Sequence, residues 1–322
     1  MESFELISEP WVEKYRPNVL KDICGQNKII TLFEKMQQHN QTMHFLFYGP
    51  PGTGKTSSIL AFCKQIYHGQ IREQYILEIN ASYEHGIDMV REKIKTFCKK
   101  SITPFYYNNK LINYKFVILD EADTLTIDAQ NALRRCIEVY SYNTRFCFMC
   151  NYVSHIISPI LSRCYVCHFQ PVLKESAVKY IINICEKEKI QFDKEIIKNI
   201  YDCYMGDLRR CISTIQAIIN IYGKLNLITY NNYNYKIPTS YWSKIQNISI
   251  SLLTDEINKN IKEGKSIRGI LSSIIEWACE TLSDKQIYNV YLKISKFEKQ
   301  TLHITDNRTL LFEIFYYIYN IK

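Results

Sequence analysis

The stretch from Gly49 to Thr56, Gly-Pro-Pro-Gly-Thr-Gly-Lys-Thr, constrains this chain more than any other part of its sequence. It fits the pattern of a phosphate-binding loop, in which glycines shape a turn that Lys and Thr follow. An apolar run, Phe45 to Tyr48, precedes the loop, and apolar residues at helical spacing follow it from Ile59 to Tyr67. We therefore expect backbone N–H groups to bind phosphates, Lys55 to reach the β- and γ-phosphates, and Thr56 to offer its hydroxyl to Mg²⁺.

Apolar runs alternate with helical patterns through the first half of the chain. We predict five strands, over 45–48, 75–79, 116–119, 145–150 and 165–169, with helices between them over 87–99 and 128–139. This alternation is typical of a parallel sheet covered on both faces, whose ligands bind at the carboxyl ends of the strands. The phosphate loop, the pair Asp120 and Glu121, and Asn151 all follow predicted strands, so we expect them at one edge of the sheet.

These residues have the chemistry that nucleotide hydrolysis needs. One carboxylate must hold Mg²⁺ and another must orient the attacking water, and we assign these roles to Asp120 and Glu121 respectively. Asn151 can hold the water or a γ-phosphate oxygen without adding charge. The sequence thus predicts a nucleotide-hydrolysing site.

Two arginines are candidates for contact with a γ-phosphate. Arg209 follows Gly206 and Asp207, a candidate helix N-cap, and a cation in a first turn is unfavourable unless an anion binds there. It is either a γ-phosphate sensor or an exposed arginine. The residues around Arg163 leave open whether it is a surface arginine or a finger that completes a neighbouring subunit's site.

Two Cys-x-x-Cys units, Cys147 with Cys150 and Cys164 with Cys167, have the spacing of some zinc sites. Both units lie on or beside predicted strands, where residues three apart point to opposite faces, about 10 Å from each other. We interpret them as small buried apolar residues.

The second half of the chain has helical periodicity. We predict helices over 174–189, 193–204 and 208–222, a linker over 226–240, apolar stripes over 267–278 and 287–297, and a last helix from about residue 307. That last helix is apolar nearly all round, so we expect it to be buried on more than one side, against this chain or against others.

The bulk composition is that of an ordinary globular protein. Forty Lys and Arg against 32 acids give a net charge of +8, which permits a polyanionic partner but equally fits a solvated basic surface. The twelve cysteines, without a signal-peptide pattern or a membrane-spanning run, fit reduced thiols of an intracellular protein that does not enter a membrane.

Seven motifs occur in the order found in one known family. They are Trp11 to Pro17, Gly49 to Ser57, Leu119 to Asp123, Ala132 to Arg135, Cys150 to Tyr152, Ser162 to Cys164 and Gly206 to Arg210. With these motifs the chain resembles the small subunits of the eukaryotic sliding-clamp loader, replication factor C. The opening segment and the Ser-Arg-Cys triplet are far more specific than the phosphate loop, which many nucleotide-binding proteins share.

The resemblance implies an α/β fold with three domains. These are an AAA+ P-loop module with a parallel five-stranded sheet over 1–170, a three-helix lid over 171–225 and an all-α collar for oligomerisation over 226–322. It further implies an Mg-dependent ATP hydrolase that forms a hetero-pentamer in the nucleus with four other subunits. Such an assembly uses ATP to open the sliding clamp and load it at primer–template DNA, and hydrolysis releases the clamp during replication and repair.

The resemblance also implies roles for individual residues. Nucleotide contacts fall on Val12, Arg16, Pro17 and Ile23 around the adenine, and on the loop residues Gly49, Pro50, Pro51, Gly52, Thr53, Gly54, Lys55, Thr56 and Ser57. Asn151 and Arg209 become the two sensors, and Arg163 the finger that acts on the adjacent subunit. Arg91 and Lys95 should face the DNA backbone, where contacts read shape and charge. His155 stands where the family often has a more basic residue, which weakens one expected phosphate contact.

Two other functions stay open. One is a structural subunit that binds ATP but contributes mainly an arginine finger and a collar; the intact Lys55 and Glu121 argue against it. The other is a different AAA+ DNA motor, such as a branch-migration helicase, which favours a compact winged-helix domain after the lid. The long helical stripes of the C-terminal part argue against that motor.

Overall fold

The computed structural model describes residues 9–39, 42–67, 72–82, 87–107, 110–234, 239–262, 267–301 and 307–321. The chain divides into two compact units, Met1–Asn226 and Leu227–Lys322. The predicted lid lies within the first unit together with the sheet. The division into three domains therefore remains a prediction.

Five parallel strands form the sheet of the first unit, in the order β2-β5-β6-β1-β7. They are β1 (Phe45–Tyr48), β2 (Ile76–Asn80), β5 (Lys115–Asp120), β6 (Thr144–Cys150) and β7 (Tyr165–His168). An antiparallel hairpin, β3 (Phe105–Tyr107) and β4 (Lys110–Ile112), lies between β2 and β5 in the chain. The predicted sheet is confirmed, whereas the hairpin was not predicted because strands of three residues leave too short a pattern.

The sheet is apolar on both faces, as a parallel sheet covered by helices requires. Along β5, Phe116 and Ile118 belong to one core cluster, and Val117 and Leu119 to the other. The Cys-x-x-Cys units follow the same alternation. Cys147 lies in the first cluster and Cys150 in the second, so the two thiols are on opposite faces of β6.

The described residues of the first unit form ten α-helices, which surround the sheet or follow it. They are α1 (Trp11–Lys14), α2 (Asn27–His39), α3 (Lys55–Tyr67), α4 (Arg72–Tyr75), α5 (Ile87–Lys99), α6 (Ile127–Tyr140), α7 (Ser158–Leu161), α8 (Lys174–Lys187), α9 (Lys194–Cys203) and α10 (Leu208–Tyr222). The segment over 11–26, where Pro17 and Gly25 disfavour a continuous helix, contains two short elements, α1 and a 3-10 turn at Leu20–Asp22. Single turns are too short for helical periodicity to reveal.

The helix α10 begins as its sequence predicts. Asp207 is the N-cap, and its side chain accepts a hydrogen bond of 3.1 Å from the backbone N–H of Arg210. At the other end Gly223, with φ of 73°, ends the helix in the left-handed conformation that glycine tolerates best. The N-cap places Arg209 in the first turn.

The described residues of the second unit form helices only. They are α11 (Leu227–Asn234), α12 (Thr239–Ile245), α13 (Ile250–Lys262), α14 (Ile267–Thr281), α15 (Asp284–Thr301) and α16 (Asn307–Tyr319). The predicted linker over 226–240 was wrong where α11 and the start of α12 occupy it, and residues 235–238 lie outside the described part of the chain. Asn and Tyr are weak helix formers, so local composition hid these helices. Tertiary packing supports α12: Trp242 is fully buried, and its indole N–H donates to Ser273 Oγ at 3.1 Å.

The core of the second unit follows the predicted stripes in most places. Ile270, Leu271, Ile274 and Ala278 of α14 are buried with Ile294 and Phe297 of α15. The last helix buries Leu310, Leu311, Ile314, Phe315 and Ile318. It leaves Phe312 and Tyr316 exposed, as α15 leaves Tyr288, Tyr291 and Leu292. No helix of the described ranges is both long and apolar enough to cross a bilayer.

Candidate active site

A cavity of about 190 Å³ lies in the first unit at the carboxyl edge of the sheet. The phosphate loop, the segment around α1, the end of β5 and the start of α10 enclose it. Most of the predicted site residues line it: Val12, Arg16, Pro17, Ile23, Pro51, Gly52, Thr53, Gly54, Lys55, Thr56, Ser57, Asp120, Glu121, Asn151 and Arg209. Predicted residues as far apart in sequence as Val12 and Arg209, 197 positions, thus line the same cavity.

Lys55 is the buried cation of the site. Its Nζ donates to the carbonyl oxygens of Gly49 at 2.6 Å and Pro50 at 2.9 Å, and to Asn151 Oδ1 at 3.0 Å. Burial lowers the pKa of Lys55, and the nearby Asp120 carboxylate partly opposes that shift. All three hydrogen-bond acceptors are neutral oxygens. An ammonium held this way fits an anionic ligand, because a phosphate would supply the charge that these oxygens lack.

Gly52 is where the phosphate loop meets α10. Its φ is +70°, and a Cβ built on it would lie 1.9 Å from Asp207 Oδ1. The loop and the N-cap of α10 therefore approach each other too closely for any other residue at position 52. This contact brings Arg209, two residues after Asp207, to the cavity.

The oxygens of Asp120 are positioned by two donors. Thr56 Oγ1 donates to Asp120 Oδ2 at 2.9 Å, and the backbone N–H of Glu121 donates to Asp120 Oδ1 at 2.9 Å. A hydroxyl and a carboxylate in contact form the oxygen donor set that Mg²⁺ prefers. The residues thus fit a magnesium ion bound beside the phosphates.

Glu121 has a strained backbone. Its φ of 54° and ψ of 38° are left-handed, which is uncommon for any residue other than glycine. Thr124 holds the turn, since its N–H and hydroxyl both donate to Glu121 O, at 3.0 and 2.7 Å. Glu121 and Asp120 therefore leave the strand end in different directions, as two separate carboxylate roles require.

Two residues that sequence analysis missed fix the loop after β6. Asp123 Oδ2 accepts from the backbone N–H groups of Asn151 at 3.0 Å and Tyr152 at 3.2 Å. Gln130 is buried; its amide donates to the carbonyls of Leu125 and His155, and its Oε1 accepts from Ile157 N–H. Asp123 is the last residue of the motif Leu119 to Asp123, although no role was predicted for it. Nothing local distinguished Gln130 from an exposed helical glutamine.

Part of the cavity wall is apolar. It includes the four residues predicted to surround the adenine, Val12, Arg16, Pro17 and Ile23. It also includes five that were not predicted: Tyr15, Cys24, Tyr180, Leu208 and Ile212. Burial raises the pKa of the Cys24 thiol to about 11, so the thiol is neutral near pH 7. This wall suits a flat heterocyclic base. Tyr15, Cys24 and Leu208 adjoin predicted residues in the sequence, but Tyr180 and Ile212 come near only through folding.

Other predicted residues do not line the cavity themselves. Gly49 and Pro50 contribute through their carbonyl oxygens to Lys55. Arg163 donates to Glu138 Oε1 at 2.7 Å and to Pro159 O at 2.8 Å, and its side chain is 36% exposed.

The predicted DNA contacts are on α5. Lys95 Nζ pairs with Glu92 Oε1 at 3.1 Å on that helix, away from the cavity. Arg91 belongs to α5, but its side chain lies outside the part of the chain that the structure describes. Both assignments remain predictions.

Comparisons with known proteins give one family at high coverage. Replication factor C subunit 2 of Schizosaccharomyces pombe is 34% identical over 307 residues, covering 91% of this chain and 88% of that protein. Replication factor C subunit 4 of Arabidopsis thaliana is 36% identical, with coverages of 86% and 84%. The replication factor C small subunit of Saccharolobus solfataricus is 45% identical, with coverages of 67% and 63%. The family described as DNA polymerase III, delta subunit, matches residues 25–173.

Solved structures show the same architecture at low identity. The RuvB Holliday junction branch migration motor of Thermotoga maritima aligns with a TM-score of 0.54 at 13% identity, covering 72% of this chain and 78% of that one. Its K64R mutant aligns with a TM-score of 0.56 at 14% identity, with coverages of 73% and 79%. At such identity the similarity supports the AAA+ fold and says nothing of function.

Proposed function

The chain belongs to the replication factor C family, and from that membership we propose that it is an ATP-hydrolysing subunit of a DNA sliding-clamp loader. The observation that carries the proposal is the meeting of Lys55, Asp120, Glu121 and Asn151 in one cavity with Arg209. A subunit that only bound ATP would not need a carboxylate pair beside the phosphate loop.

The residues divide the work between binding and hydrolysis. Backbone N–H groups of the phosphate loop and the Lys55 ammonium bind and neutralise the phosphates of ATP. Glu121 orients and polarises the attacking water, while Asn151 and Arg209 hold γ-phosphate oxygens. Val12, with the other residues of the apolar wall, holds the adenine and keeps water from it.

We assign a magnesium ion to Thr56 and Asp120. When bound, Mg²⁺ supplies positive charge that offsets the charge on the transferring phosphoryl group. The Asp120 carboxylate already accepts a hydrogen bond from the Thr56 hydroxyl, so both oxygens are in place before the ion binds.

Assembly with four related subunits is the second part of the proposal. Exposed apolar side chains on α15 and α16 support it: Tyr288 is 64% exposed, Leu292 47% and Tyr316 56%. Tyr288 and Leu292 are four residues apart and so share one face of α15, and neighbouring exposed side chains of this size are typical of an interaction surface. We propose that these helices form the collar, that the assembly acts on the sliding clamp and primer–template DNA in the nucleus, and that α5 faces the DNA.

Purification of the chain alone and with its four related subunits tests this proposal. We expect feeble ATP hydrolysis from the chain alone, stimulation on assembly, and further stimulation by primed DNA with the clamp. Native mass spectrometry should show five different chains in one complex. A homohexamer would instead indicate a branch-migration motor, and full DNA-stimulated hydrolysis by a monomer would refute the assembly.

Glu121→Gln separates the active subunit from a structural one. We expect the variant to bind ATP as the wild type does and to lose single-turnover hydrolysis at this subunit's site, because an amide cannot act as the water-orienting carboxylate. Unchanged hydrolysis at that site would remove Glu121 from the mechanism.

A further inference from the structure

We infer that Glu188, a residue outside the cavity, is a positioning residue for its base-binding end. Glu188 follows the last turn of α8 and holds residues 9–16, here called the N-terminal strap, against the lid helices. The inference rests on the proposed nucleotide site and deepens it, because it makes recognition of the base depend on a contact remote from the phosphates.

One carboxylate oxygen of Glu188 accepts two hydrogen bonds from the strap. Lys14 Nζ and Tyr15 OH both donate to Glu188 Oε1, each at 2.5 Å. The Glu188 side chain is only 20% exposed, so this contact is partly shielded from solvent. Hydrogen bonds from Lys14 and then Tyr15 lower the pKa of Glu188, which keeps it ionised.

Further contacts join the strap to the same group of helices. Tyr180 OH of α8 donates to the backbone carbonyl of Tyr15 at 2.6 Å. The backbone N–H of Trp11 donates to Gln216 Oε1 of α10 at 2.9 Å. The Lys187 ammonium lies 5.9 Å from the centroid of the Tyr15 ring. The strap is therefore attached to α8 and α10, at a distance in sequence of more than 160 residues.

The chain that follows the strap is attached to the phosphate loop. Leu20 and Ile23 are buried in the core cluster that includes α3. Gln26 Nε2 donates to Thr53 O at 3.3 Å and to Gln170 O at 2.7 Å. Residues 9–26 thus connect the lid helices at one end with the phosphate loop at the other.

The segment that runs between these two attachments supplies several residues of the apolar wall, the part of the cavity that we assign to the base. Val12, Tyr15, Arg16 and Pro17 line the cavity, whereas Glu188 does not. Loss of Glu188 should release Lys14 and Tyr15 and so loosen the wall, while the phosphate loop keeps its own hydrogen bonds to Lys55. The expected consequence is weaker binding of the base with undiminished binding of the phosphates.

Two ligands distinguish binding of the base from binding of the phosphates in the full-length chain. Calorimetry with MgATP reports on base and phosphates together, and calorimetry with inorganic tripolyphosphate and Mg²⁺ reports on the phosphate loop. For Glu188→Ala we expect ATP affinity to fall about tenfold, the loss of a charge-assisted contact, with tripolyphosphate affinity unchanged. The control is Glu186→Ala, an exposed glutamate of the same turn, which should leave both affinities unchanged.

The outcomes distinguish the inference from the proposed function. Equal ATP affinity in Glu188→Ala and wild type overturns the positioning role, as does an equal loss for both ligands, which a general structural defect would produce. Failure of the wild type to bind either ligand would instead overturn the nucleotide site itself. If Glu188→Ala does not fold, Glu188→Gln is used instead, because it keeps the volume and an acceptor oxygen. We then expect a smaller loss of ATP affinity, again with tripolyphosphate affinity unchanged.

A double-mutant cycle with Tyr15→Phe examines the contact directly. The phenylalanine keeps the ring of the cavity wall and removes the hydroxyl that donates to Glu188. We expect Glu188→Ala to weaken ATP binding less in the Tyr15→Phe background than in wild type. Fully additive effects would show that Glu188 does not act through Tyr15.

Discussion

At the scale of single residues, the site depends on a cation that is costly to bury. Lys55 is 9% exposed and donates its hydrogen bonds to neutral oxygens, and burial lowers its pKa. This cost is recovered when the ligand carries negative charge. The phosphate loop is therefore organised around an interaction that only a bound anion completes.

Lys55→Ala should weaken ATP binding about a hundredfold or more, because the loop amides alone leave the β- and γ-phosphate charge poorly neutralised. Calorimetry measures the loss. Lys198→Ala, which removes an exposed cation paired with Glu195, is the control and should bind ATP normally. Similar affinities for Lys55→Ala and wild type would show that this loop does not bind phosphate.

Gly52→Ala should destabilise both the fold and the site. A left-handed alanine costs about 1–2 kcal/mol, and the new methyl group would also collide with Asp207. Gly223→Ala is the control: its φ of +73° is similar, but nothing lies within 4 Å of the added Cβ. Urea unfolding should show a larger loss for Gly52→Ala, and ATP binding should weaken for that variant alone. Equal losses in the two variants would contradict the close contact between the loop and α10.

At the scale of elements, α5 is held at its C-terminus by a buried lysine from β5. Lys115 Nζ donates to the carbonyls of Phe97 and Lys100, the latter at 2.7 Å, and lies 4.7 Å from the centroid of the Phe97 ring. Carbonyl oxygens at a helix C-terminus lack partners within the helix, and a cation there also interacts favourably with the helix dipole. The proposed DNA-facing helix thus depends on the central sheet for its position.

Lys115→Met should cost about 1–3 kcal/mol of stability, because it leaves buried carbonyls without donors. Burial lowers the pKa of Lys115 from 10.5, so between the lowered value and 10.5 the unfolded chain binds more protons than the folded one. The stability of wild type relative to Lys115→Met should therefore rise with pH through that window. Urea unfolding over alkaline pH measures it, with Lys99→Met on the exposed side of α5 as the control. If the stability of wild type relative to Lys115→Met instead fell with pH, the interpretation of Lys115 as a cation disfavoured by burial would be wrong.

At the scale of the whole molecule, one predicted catalytic residue lies outside the chain's own cavity. Arg163 does not line the cavity, and its guanidinium is held by Glu138 and Pro159 near the surface. This placement is compatible with the proposed role in a neighbouring subunit. In that role the guanidinium stabilises charge that spreads over the transferring phosphoryl group.

Arg163→Ala should leave this chain's own ATP affinity unchanged and slow hydrolysis at the adjacent subunit's site by about 10³–10⁵-fold, the range of arginine fingers. Assemblies in which only that adjacent site can hydrolyse ATP measure the effect. Lys198→Ala removes an exposed cation paired with Glu195 and serves as the charge control. Normal hydrolysis at the adjacent site would refute the role in trans, and a defect at this chain's own site would place Arg163 in cis.

The sequence alone determined the sheet and most of the phosphate end of the site. Apolar runs such as Phe116 to Leu119 indicate strands by themselves, because a strand buried on both faces has few polar positions. The loop from Gly49 to Thr56 and the carboxylates after β5 are local patterns whose chemistry is contained in neighbouring residues. Their convergence followed from one rule, that ligands of parallel sheets bind at the carboxyl edge.

Only the tertiary structure decided which distant residues meet these motifs. The contact of Gly52 with Asp207, the place of Tyr180 in the cavity wall and the bonds of Glu188 to the strap join segments more than 100 residues apart. The helix α12, whose start lies in the predicted linker, has the same explanation, since weak local propensity yields to the packing of Trp242 in the core. Periodicity and motifs report on neighbours along the chain, whereas these contacts depend on how the lid helices pack against the sheet or how the second unit fills its core.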